Sequence, residues 1–233
     1  MKVVDIRGLR HGVGATFVAA SLAYLLSEGS EAAEPVNVLA VDATEHLFGL
    51  KSCFGEPSLT DKNYPFAYTS RLQCYSYPRN LNESFEAKRA TINTVLNNAA
   101  LKDVDIVVVD SGSVEESAAL NLYADFTVTV TEADCNCLMQ AALTHRFGKK
   151  EYLLVNKIWP MSRSQSDIVM YLRYRPELAD RILANSVPFD EFILQSALNK
   201  KTAAELYPLS QSSDQIRKLA DRLAADLLGA SRG

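Results

Sequence analysis

The sequence predicts an α/β fold, an open, mostly parallel β-sheet flanked by helices on both faces. Three observations carry that expectation. Strand-like and helix-like segments alternate along the 233 residues. The strand-like segments are continuous Val/Ile/Leu runs, the pattern of strands covered on both faces. A glycine-containing stretch, Gly8-Leu9-Arg10-His11-Gly12-Val13-Gly14-Ala15-Thr16-Phe17, joins the first such run to the first helical one. Backbone N–H groups at that kind of junction form an anion site.

In chain order, residues 2–9 form the first apolar run. Residues 16–26 follow as a helix with Val18, Ala19, Leu22, Leu25 and Leu26 on one face. Runs at 37–44 (NVLAVDAT) and 105–112 (DIVVVDSG) each carry a carboxylate near their end, Asp42 and Asp110. Residues 126–133 (FTVTVTEA), 151–158 (EYLLVNKI) and 181–187 complete the strands. Helical patterns at 82–101, 114–123, 135–147, 167–178 and 189–200 separate them.

The chain closes in one more helix. Ser212 and Gln215 have capping-box spacing, and Ile216, Leu219, Leu223 and Leu227 form an apolar stripe. The opposite face mixes Arg217, Lys218, Asp221, Arg222 and Asp226. That mixture favours docking on the domain's own core over docking on a membrane. Between residues 45 and 81 the periodicity fails, and Tyr64, Phe66, Tyr68, Tyr75 and Tyr77 crowd together. The segment is too long for a bare connection. It reads equally as a binding surface or as a short hairpin under the domain edge.

A 48% hydrophobic content supplies the core of one domain spanning 1–233. The net charge of −4 argues against a general nucleic-acid surface. There is neither a signal-peptide pattern nor an apolar run of membrane-spanning length, so a cytoplasmic protein that meets membrane only through partners is expected. Cys135 and Cys137 are separated by one residue, too few for a zinc knuckle. Free thiols are expected there and at Cys53 and Cys74.

A working phosphate-binding loop ends Gly-Lys-Ser/Thr, because the ammonium neutralises phosphate charge. Here the ending is Gly14-Ala15-Thr16. Gly12 and Gly14 still permit a tight loop around phosphate oxygens, and Thr16 places a hydroxyl where Mg²⁺ is bound. An Asp closing a Val-rich strand is what organises that Mg²⁺, which makes Asp110 and Asp42 metal candidates beside Thr16. Singly, each element is equally a glycine turn or an Asp helix cap. Their occurrence in this order is what points to a nucleotide.

The loop resembles the deviant Walker A loop of the MinD/ParA-like P-loop ATPases, and the resemblance runs from Met1 to about Leu228. It implies that residues 10–17 (Arg10, His11, Gly12, Val13, Gly14, Ala15, Thr16 and Phe17) surround the phosphates of ATP. Arg10 stands where those proteins have a lysine that reaches a dimer partner's phosphates. Ala15 stands in place of the second lysine. Their second strand reads Asp-x-Asp, with the second Asp orienting the attacking water; here it is Asp42-Ala43-Thr44. Asn156 matches the residue that reads the adenine edge, and Pro188 lies in the loop beside the base.

Within that superfamily the chain is most similar to the branch of the cellulose biosynthesis protein BcsQ (YhjQ). The similarity lies in the Arg-led loop, the replaced lysine, the stretch Glu132-Ala133-Asp134-Cys135-Asn136-Cys137, and the segment from Asp190-Glu191 to Lys200-Lys201. His11 and Phe17 depart from the usual pattern. The resemblance implies ATP and Mg²⁺ as cofactors, a homodimer over ATP, weak or absent hydrolysis, and docking to a membrane cellulose synthase through a small accessory protein. An active positioning ATPase of the ParA or MinD kind and a nucleotide-free interaction module are the alternatives.

Overall fold

The computed structural model describes residues 1–30, 34–44, 49–55, 65–77, 84–100, 103–144, 148 and 150–228. From the N-terminus these form β1 (Lys2–Gly8), α1 (Ala15–Glu28), β2 (Val38–Asp42), α2 (Leu50–Cys53), β3 (Phe66–Ala67) and β4 (Leu72–Ser76). Next come α3 (Phe85–Ala100), β5 (Ile106–Ser113), α4 (Val114–Leu120), β6 (Phe126–Glu132), α5 (Cys135–Met139) and β7 (Glu151–Asn156). The chain ends with α6 (Arg163–Tyr174), α7 (Glu191–Leu198), α8 (Ala203–Leu206) and α9 (Gln211–Leu228). The strands pair in the order β3-β4-β2-β5-β1-β6-β7, and every pairing except β3 with β4 is parallel.

Alternation along the strands sends side chains to two cores. On one side Val4 and Ile6 of β1 meet Val18, Ala19 and Leu22 of α1 and Ile216, Leu219 and Leu223 of α9. On the other, Val3, Val107 and Val109 meet Ile92 and Leu96 of α3. The expected sheet with helices on both faces is therefore present, and the terminal stripe is buried in the protein itself. Among the described residues no helix is long and apolar enough to cross a membrane, and all four cysteines are free.

Several local expectations are corrected. Residues 181–187 do not form a strand. Leu153 N–H donates to Arg181 O, and Leu183 and Val187 donate to Leu153 and Val155. Between those contacts the segment's polar groups turn elsewhere: Ala184 O accepts from Arg173, and Asn185 donates to Gln215 O. The cap of α9 is Ser210, whose hydroxyl accepts from Ser213 N–H at 3.2 Å, while Ser212 donates to Asp190. Helix α6 starts earlier than its apolar pattern suggested, because Ser162 caps it, and α7 begins after the Asp190 cap. Helix α4 stops at Asn121, which takes a left-handed conformation. Helix α5 continues as a π-helical turn, Gln140–Thr144. The expectations for Tyr64 and for 82, 83, 101 and 145–147 lie outside the described residues.

Of the aperiodic region, residues 49–55 and 65–77 are described, and there the hairpin reading is observed, as β3 and β4; the expectation for 45–48, 56–64 and 78–81 lies outside the described residues. Strand β4 also pairs in parallel with β2, and Tyr75 and Tyr77 are core residues.

Candidate functional site

The loop between β1 and α1 is shaped by three close approaches. A Cβ on Gly8 would meet Arg10 O at 2.6 Å and Val13 Cγ2 at 2.9 Å. Gly12 and Gly14 have φ of +83° and +92°, where a side chain is strained. A Cβ on Gly14 would also strike Asn156 Nδ2 at 2.4 Å. Leu9 and Val13 are buried and anchor the loop. Helix α1 then starts at Ala15 with no side-chain cap among the described residues and no acidic residue in its first turn. Its N-terminal amides and dipole therefore present positive potential at the loop.

Thr16 and Asp110 meet directly: Thr16 Oγ1 donates to Asp110 Oδ2 at 2.6 Å. Asp110 is fully buried, and Asp42 lies beside it because their Cα atoms are in-register partners on β5 and β2. Burial, then repulsion from Asp42, pushes the Asp110 carboxyl from 3.8 up to about 7. Burial also raises Asp42. The two strand-end acids are thus held together at a cost that a divalent cation would offset. Hydroxyl and carboxylate oxygens are the hard donors that Mg²⁺ takes.

Thr44 faces inward. Its N–H and its hydroxyl both donate to Asp42 Oδ1, at 3.0 and 2.7 Å. Gly49 covers the other oxygen so closely that a Cβ there would lie 1.9 Å from Asp42 Oδ2. Asp42 therefore stands behind Asp110 with its own donors, while Asp110 faces Thr16.

Asn156 closes the loop from β7. Its Nδ2 donates to Val13 O at 2.8 Å, and its Oδ1 is buried with no hydrogen-bond partner among the described residues. Pro188 is drawn alongside by a bridge to Ile158. Trp159 and Phe189 stack at 4.4 Å beyond it. An open cleft of about 520 Å³ adjoins, lined in part by Ile158, Pro188 and Gln211.

The remaining loop residues divide. Phe17 packs against the core. His11 is exposed, with Nδ1 4.0 Å from Glu116 Oε2. Arg10 folds back onto its own chain: Nη2 contacts Glu132 at 2.9 Å and Asp134 at 2.6 Å, and Nε donates to Cys137 Sγ. Two participants were missed in the sequence. Lys157 follows Asn156 with φ of +57°, and its Nζ donates to Gly12 O and pairs with Glu132 Oε1 at 2.6 Å. Glu132 ends β6 as Asp42 ends β2, and that shared position was the available signal.

Solved structures of known proteins share this fold. A ParA family ATPase from Chlorobium tepidum TLS superposes with a TM-score of 0.72 at 21% identity, covering 94% of this chain and 97% of that one. The septum site-determining protein MinD from Pyrococcus horikoshii OT3, solved in complex with Mg-ADP, gives 0.75 at 17% identity, covering 100% and 98%. A point variant of McdA from Cyanothece, solved as an ATP complex, gives 0.69 at 19%, covering 98% and 96%. The fold is that of the MinD/ParA ATPases. No curated protein matches the chain. The family model for the cellulose biosynthesis protein BcsQ matches residues 71–223. With most of its length matched by that model, the chain belongs to the BcsQ family.

Proposed function

We propose that this chain is a nucleotide-binding accessory subunit of a bacterial cellulose synthesis and secretion system, acting as an ATP-bound homodimeric scaffold with weak or absent hydrolysis. The observation that carries the reading is the pairing of Thr16 with the buried Asp110 at the mouth of a loop that has Ala15 where a lysine is expected. Four features fit Mg-ATP. Among the described residues nothing lies within 4 Å of a Cβ position on Gly12, which leaves room for phosphate oxygens. The first amides of α1 are not taken by a side-chain cap among those residues. The Thr16–Asp110 pair, backed by Asp42, would hold Mg²⁺. The buried Asn156 Oδ1 would take a base amino group, with Pro188 beside the ring. When bound, the cation would neutralise phosphate charge and the strand-end acids alike.

Hydrolysis is a different matter. With Ala15 one phosphate cation is missing, and Thr44 donates to Asp42 instead of orienting water. Each such loss costs on the order of 100-fold in rate. A long-lived ATP state suits a scaffold better than a rapid switch. We read the chain as one domain, 1–233, working in the cytoplasm and reaching the inner membrane only through a small accessory protein and the cellulose synthase, without nucleic acid. Ala15 and His11 favour a second reading, a nucleotide-free interaction module. Affinity purification from cells tests the proposal: recovery of a polysaccharide synthase complex together with bound ATP is expected. Recovery of neither would overturn it, and the synthase without nucleotide would favour the second reading.

A further inference from the structure

Glu132 lies between two cations beside the loop, its oxygens 2.9 Å from Arg10 and 2.6 Å from Lys157. Lys157 also holds Gly12 O, so Glu132 ties the loop at both Arg10 and Gly12. The groups are neither buried structural pairs nor free surface charges: Glu132 is 20% exposed, Lys157 37% and Arg10 42%. The left-handed backbone at Lys157 turns its side chain back across the loop, with Cε 3.9 Å from a Cβ position on Gly14.

Resting on the nucleotide-binding reading above, we propose that Glu132 is a built-in competitor for nucleotide phosphate. It occupies Arg10 and Lys157 until a triphosphate displaces it, and Lys157 then supplies part of the charge that Ala15 lacks. A polyphosphate arriving at the Gly12–Gly14 amides brings several negative charges close to a carboxylate that repels them. Both cations are reachable by small side-chain movements, since each is partly exposed and anchored by a flexible stem. Asp134 strengthens the hold on Arg10 alone, because its other oxygen caps α5 through Cys137 N–H.

The test is the affinity of the full chain for Mg-ATP and for inorganic tripolyphosphate, measured by titration calorimetry alongside the melting temperature. Glu132→Gln is expected to tighten both ligands by about three- to tenfold, from removal of a nearby like charge, while lowering the melting temperature. Lys157→Met is expected to weaken both ligands by about tenfold, and Lys157→Arg to restore them. A strut without a competing role would lose affinity and stability together in Glu132→Gln, and that result overturns the proposal. Unchanged affinity in both variants, with a wild type that binds ATP, overturns it as well and leaves the nucleotide reading standing. Failure of wild type and Glu132→Gln alike to bind either ligand overturns both. Binding by Glu132→Gln where wild type shows none supports it.

Discussion

Asp110→Asn should flatten the pH dependence of stability and abolish stabilisation by Mg-ATP. The folded chain holds the Asp110 proton up to about pH 7, because burial and Asp42 disfavour its charge. The unfolded chain releases that proton near the ordinary carboxylate value of 3.8. The folded state therefore binds more protons between those limits, and without metal its stability falls as pH rises through the window. Between pH 5 and 7 the loss is about 2 kcal/mol. For a chain of this length that is about 4–8 °C in melting temperature. Asp42 is raised by burial too and acts in the same direction. Mg²⁺ reverses the trend by competing with the proton, so Mg-ATP should stabilise the wild type most at pH 7.5 and above. Melting curves from pH 5 to 8, with and without Mg-ATP, measure all of this. Parallel wild-type and Asp110→Asn curves under both conditions would refute the reasoning.

Three further perturbations follow from the site. Ala15→Lys adds a phosphate cation at the first residue of α1 and should tighten Mg-ATP by about tenfold or more in titration calorimetry; unchanged affinity would show that the loop does not grip phosphate in this way. Thr44→Asp should not restore hydrolysis. It removes the hydroxyl donor to Asp42 and adds a third acid beside two buried ones. A loss of about 1–3 kcal/mol in urea unfolding, with phosphate release still slow, is expected; a stable, actively hydrolysing variant would contradict it. Gly14→Ala should cost about 1–3 kcal/mol, because φ of +92° is strained for alanine and its Cβ would displace Asn156. A loss of ATP affinity should accompany it, and a variant as stable as wild type by urea unfolding would count against the loop geometry.

The main sheet was legible because β1, β2, β5, β6 and β7 are covered on both faces or nearly so; burial writes itself as unbroken Val, Ile, Leu and Ala in β2 and β5, and as buried Thr between Val residues in β6. Strand β4 was not, since LQCYS mixes polar and apolar residues at a position next to the edge. Residues 181–187 misled for the opposite reason: Ile182, Leu183 and Val187 are buried, but burial does not require a ladder. In the site, Gly12, Gly14, Thr16 and Asp110 could be read from spacing along the chain. The inward turn of Thr44 and the bridge from Arg10 through Glu132 to Lys157 could not. Arg10 and Glu132 are 122 residues apart in sequence, and their meeting depends on the register between β1, β6 and β7.

Titration of the wild-type chain with ATP in the presence and absence of Mg²⁺, followed by phosphate release on the same sample, tests the central claim most directly. Mg²⁺-dependent binding with a dissociation constant well below about 1 mM, and release slower than about one turnover per minute, is the predicted result. No binding below that concentration, or many turnovers per minute without partners, would contradict an ATP-holding scaffold.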